Sequence, residues 1–126
     1  MAMRTSIGRV RGLGSARDGT RHWMLQRLTA VSNLILVLWF VFSLATLPGT
    51  SYEVVSAWLS SPLPAIMMIL LVISVFYHAR LGLQVVVEDY VHHEGAKVGA
   101  LAAITLLLFG LAVACVVAVL TVLLGS

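Results

Sequence analysis

Polar residues are scarce along three stretches of the chain, about Trp23 to Leu47, Pro62 to Val87 and Val98 to Leu124. Each reaches or exceeds the roughly 20 apolar residues that a helix needs to cross hydrocarbon. The pattern predicts an all-α membrane protein with three transmembrane helices. Between the first two spans, LPGTSYEVVSAWLSSPLP carries Pro48-Gly49 as a stop and Ser60 to Pro64 as a restart. The piece between, Tyr52 to Leu59, predicts a short surface helix that dips Val55, Trp58 and Leu59 into the interface. The third span holds Thr105 and small residues such as Gly99, Gly110, Ala112 and Ala114, the makeup of a packing helix.

Composition agrees with the spans: the 126 residues are 60% hydrophobic and 10% charged, with a mean hydropathy of +1.03. An ordinary soluble domain is excluded. The formal charge is +3, but its distribution says more. Arg4, Arg9, Arg11, Arg17, Arg21 and Arg27 precede or open the first span, whereas Pro48 to Ser61 contains only Glu53 as a charge. The positive-inside rule then holds the N-terminus and the Glu88 to Lys97 loop on the cytoplasmic or matrix side, and places the C-terminus opposite.

The arginines are sparse and lack interleaved aromatics, so no nucleic-acid partner is expected; a lipid or protein contact accounts for them better. Residues 1–22 partly imitate a transit peptide but are read as a retained basic arm ahead of a transmembrane domain at 23–126, because GLGSARDGTRHW offers glycine turns instead of a long amphipathic helix. The single cysteine, Cys115, lies within the third span, which rules out an intrachain disulfide and CxxC zinc chemistry.

The first span opens on RHWMLQRLTAVSN. Trp23 at an interface and snorkelling arginines explain most of this polarity. Arg27, followed by Thr29, Ser32 and Asn33, gives the helix a polar flank suited to a partner helix or a buried anion. Asn33 reads as an interhelical hydrogen-bonding residue.

The second span carries the more demanding pattern, FYHARLGLQVVVEDYVHHEG. His78, Gly82, Val85 and Asp89 recur at i, i+4, i+7 and i+11 and share one helical face. A glycine one turn from a histidine leaves a notch that admits a flat, bulky group, and imidazole is a common haem ligand. Measured from Asp89, His78 is expected ~16 Å inside, near the middle of a ~30 Å core. Three readings fit it: a hydrogen bond to a neighbouring helix, a haem ligand, or a proton relay with Arg80 and Glu88. Arg80 lies ~200° around the helix from His78, so one pocket does not collect both. Glu88 and Asp89 oppose the helix dipole at its C-terminal end and need donors, cations or water to answer them. His92 and His93 face different directions, against a two-histidine metal site.

HARLGLQVVVEDYVHH, together with GLGSARDGTRHWMLQRLTA ahead of the first span, resembles the small hydrophobic membrane-anchor subunit of succinate dehydrogenase, respiratory complex II. The likeness covers nearly the whole chain, in its length, three-span layout and the spacing of His, Gly, Gln and Asp-Tyr. The resemblance implies that His78 supplies one axial ligand to a haem b, the other coming from a second, cytochrome b anchor subunit. Tyr90 would hydrogen-bond a ubiquinone carbonyl with Asp89 in support, and Arg27 would stand near the haem propionates. It assigns no role to Arg80. Flavoprotein and iron–sulfur subunits are the implied soluble partners, because this chain has no flavin fingerprint and no cysteine set for a cluster. The implied location is the bacterial inner membrane more than the mitochondrial one. A fumarate reductase anchor, a small proton-conducting or transport module, and a purely structural scaffold are the competing functions.

Overall fold

A computed structural model of the chain describes residues 13–125, with side chains described from Gly19 onward. The first part of the arm, with Arg4, Arg9 and Arg11, lies outside the described residues. Among the described residues there are four helices and no strand: α1 (Leu13–Thr46), α2 (Tyr52–Leu59), α3 (Pro62–Tyr90) and α4 (Glu94–Leu123). Three contain segments long and apolar enough to cross a membrane, Gly19–Thr46, Pro62–Tyr90 and Glu94–Leu123.

The helix ends follow local chemistry. Ser51 caps α2, its hydroxyl accepting the Val54 N–H at 3.3 Å. Pro62 opens α3, where the missing N–H would have had no intrahelical partner. The chain leaves α3 at Val91 in an extended conformation and enters α4 at His93, whose Nδ1 accepts the Ala96 N–H at 3.1 Å. His93 is therefore a helix cap. Gly125, with φ 77°, turns the chain out of α4. The start of α1 departs from the sequence expectation: the helix begins at Leu13, so part of the GLGSARDGTRHW lead-in is continuous with the span. Glycines cost a helix about 1 kcal/mol each, but adding residues to a helix already nucleated is far easier than starting one, and Ala16 and Arg17 favour it.

The helices form a row with α3 in the middle, packed on α1 along one side and on α4 along the other. The three-residue link between α3 and α4 makes them antiparallel neighbours. Few residues are buried: Leu36, Ala65, Leu71, Leu81, Val87 and Val119, with Ser74 as the one polar member among the described residues. Ala65, wholly enclosed, lets helices approach closely at the foot of α3.

Aromatic residues mark the depth of the row. Trp58 of α2 stacks on Trp39 of α1 with ring centroids 5.6 Å apart, and Phe40 lies against the same indole at 6.3 Å. Such rings gather at the headgroup level, so this cluster marks the membrane face opposite the N-terminus. A ~30 Å core takes about 20 residues at ~1.5 Å per residue, so α3, with 29 residues, is longer than the hydrocarbon and its last turns project at the N-terminal membrane face.

Candidate functional site

The side of α1 that meets α3 presents His22, Gln26, Thr29 and Asn33, spaced i, i+4, i+7 and i+11. The facing positions on α3 are Ser74, His78 and Gly82. Ser74 donates to Asn33 Oδ1 at 2.6 Å, and Thr29 Oγ1 stands 2.9 Å from His78 Nδ1. At Gly82 an added Cβ would have the Gln26 amide nitrogen as its nearest neighbour, at 4.0 Å. The two helices are joined by a polar seam, one step per turn. Hydrogen bonds of this kind in membranes contribute ~0.6 kcal/mol on average and up to ~1.7.

Hydrogen counting at Thr29 favours one tautomer of His78. The Thr29 hydroxyl has one proton and lies 2.8 Å from the Leu25 carbonyl and 3.1 Å from that of Gln26. Donating that proton back along its own helix leaves the oxygen as an acceptor toward the imidazole. In that tautomer His78 Nδ1 carries the proton and donates, and the Nε2 lone pair is free for another partner. This is the arrangement found in metal-binding histidines, whose second nitrogen is anchored by an acceptor. The contact between helices expected for His78 and the availability of a ligand nitrogen are therefore compatible.

A haem b suits the donor set here on three observations. Nε2 of His78 is the available nitrogen. Around the Gly82 notch, outside its own helix and among the described residues, the Gln26 amide alone reaches as near as 4.0 Å. One further turn along the seam, His22 Nε2 is enclosed without a hydrogen-bond partner, an orphan that a water or a polar group of a bound ligand would satisfy. His22 was read from sequence only as part of an interfacial cluster. Its position on the α3-facing stripe, four residues before Gln26, was the signal for more.

The other residues singled out by sequence are not gathered around His78. Arg27 is exposed on the flank of α1, its guanidinium 5.6 Å from the Trp23 ring centroid. Asp89 and Tyr90 are exposed at the projecting end of α3. Tyr90 lies ~18 Å along the helix from His78. Arg80 points to the other neighbour, donating from Nε to Thr105 Oγ1 at 2.6 Å and from Nη1 to Gln84 Oε1 at 2.7 Å. Gln84 continues to Glu88 Oε2 at 3.2 Å.

A row of three spanning helices, with a polar seam that holds a histidine, defines a membrane subunit. The chain belongs to the succinate dehydrogenase/fumarate reductase transmembrane subunit family, whose model matches residues 1–122. It is similar to the succinate dehydrogenase hydrophobic membrane anchor subunits of Rickettsia bellii, 35% identical over 88 residues and 70% of each chain, and of Rickettsia conorii, 29% identical over 92 residues, covering 72% of this chain and 73% of that one. The subunit of the same name from Coxiella burnetii is 31% identical over 96 residues, covering 76% of this chain and 84% of the relative.

Proposed function

We propose that the chain is the hydrophobic membrane anchor of a succinate:ubiquinone oxidoreductase in a bacterial inner membrane. In this reading it joins a cytochrome b anchor subunit, an iron–sulfur subunit and a flavoprotein subunit, provides one axial ligand to a shared haem b, and forms part of the quinone site. The observation that carries the reading is the Thr29–His78 contact, which leaves Nε2 as the free ring nitrogen. The names of the relatives favour the succinate-oxidising direction over fumarate reduction.

When bound, the haem supplies a one-electron store beside the quinone site. This chain's part is to hold it. His78 offers Nε2, Thr29 fixes the ring, and Gly82 leaves room beside it. Arg27 is assigned to the propionates, which its charge suits near the N-terminal membrane face.

The quinone arrives from the lipid, and its carbonyl oxygens gain negative charge as electrons reach them. A phenol keeps its proton near neutral pH and can donate to such an oxygen, so Tyr90 lowers the barrier if its hydrogen bond strengthens as charge develops. Asp89, beside it, orients donors or water. Both residues stand on the projecting end of α3, where an extrinsic subunit meets the membrane and water can deliver protons.

The test is co-expression of the complex with His78→Ala in this chain. A reduced low-spin b-type band at one equivalent in the parent, lost or shifted in the variant at equal subunit stoichiometry, supports the assignment. An identical spectrum, haem content and reduction potential in both would place the ligand pair elsewhere.

A further inference from the structure

The side of α3 turned from His78 forms a groove with α4 of about 610 Å3. Its walls are apolar, among them Ile73, Tyr77, Phe109, Ala112 and Val116, and its polar end is Arg80 with Gln84 and Thr105. A guanidinium has five N–H donors. Two of Arg80's are used, by Thr105 and Gln84, which leaves three. Among the described residues no carboxylate lies within ion-pair distance of Arg80, and Glu88 reaches it only through Gln84. A cation on a spanning helix with donors to spare calls for an acceptor, and an anionic one answers its charge.

Depth and charge decide what supplies it. Arg80 lies in the half of α3 nearer the N-terminal membrane face, from which a long side chain reaches toward the headgroups. The arginine distribution assigns that face to the cytoplasmic leaflet, the side that carries anionic lipid. From Thr105 to Val117 the groove runs ~18 Å toward the opposite face, and its apolar walls suit a hydrocarbon chain.

We propose that this groove is a binding site for an anionic phospholipid of the cytoplasmic leaflet, with its phosphate on the free N–H groups of Arg80 and one acyl chain lying between α3 and α4. The proposal rests on the three-span topology and is independent of the haem and quinone assignments.

The experiment uses the whole complex, purified in mild detergent and compared at equal subunit stoichiometry. Mass spectrometry of the lipids that remain bound should find an anionic glycerophospholipid on the parent. After delipidation, titration with phosphatidylglycerol should raise the thermal midpoint while phosphatidylcholine does not. Arg80→Gln should weaken phosphatidylglycerol retention by at least about tenfold, as loss of hydrogen bonds from a charged group implies. Ala112→Phe, which leaves Arg80 intact and fills the groove, should do the same, and it carries the test if Arg80→Gln does not assemble. Equal retention in parent and variant overturns the proposal. So does a photo-crosslinker at Phe109 that attaches to another subunit and not to lipid.

Discussion

Thr29 Oγ1 and His78 Nδ1 meet at 2.9 Å across α1 and α3, joining two positions 49 residues apart in the chain. With the threonine proton drawn to the Leu25 and Gln26 carbonyls, the imidazole becomes the donor in this pair. One hydroxyl thus selects the tautomer of the histidine and aims its other nitrogen outward.

Thr29→Val keeps the shape and removes the acceptor. Loss of such an outer-shell partner typically costs about 10–100-fold in affinity for a metal group, so haem content after detergent washing should fall and the reduction potential of what remains should shift. Thr29→Ser should restore both. Indistinguishable haem content and potential in Thr29→Val would show that the hydroxyl does not govern the ring.

Gly82 separates two sizes of substitution. A single Cβ would meet the Gln26 amide at 4.0 Å, an ordinary contact, so Gly82→Ala should assemble with parental stability. Gly82→Leu must displace Gln26 or fill the notch, and should lower haem occupancy in the purified complex. Equal occupancy for the two variants would mean that nothing bulky approaches there.

Tyr90→Phe should leave assembly and succinate oxidation by an artificial acceptor intact while slowing quinone reduction several-fold or more, a loss of at least about 1 kcal/mol of transition-state stabilisation. The measurement compares the two acceptors at matched haem and flavin content. Equal quinone rates would remove Tyr90 from the site.

Topology is checked with single cysteines in a Cys115→Ser background. A membrane-impermeant maleimide added outside intact spheroplasts should label Ser51→Cys and not His92→Cys, which should react only once the membrane is opened. The reverse pattern would invert the orientation drawn from the arginines.

The three spans and the surface helix Tyr52–Leu59 were legible because runs of apolar residues and the Pro48-Gly49 and Ser60 to Pro64 breaks are local signals. Asn33 as a contact between helices was legible too, since an amide in hydrocarbon must find a partner, and it finds Ser74. The start of α1 was not, because glycine weighs against a helix locally while a long neighbouring helix can carry through it. The pairing of Thr29 with His78 depends on the register of two helices, and one sequence alone does not contain that register. The clustering of Arg80 with Thr105 was hidden for the same reason.

A row of three helices is a wall, and one wall encloses nothing. Anything held against the His78 side stays only while a second wall stands opposite, supplied by another polypeptide. Capture of a prosthetic group and docking of the two chains then become one event, and a chain made in excess has nothing to clasp. Its uncovered His78 side would mark it as an orphan to the proteases of the membrane, so the supply of its neighbour sets how much of it survives.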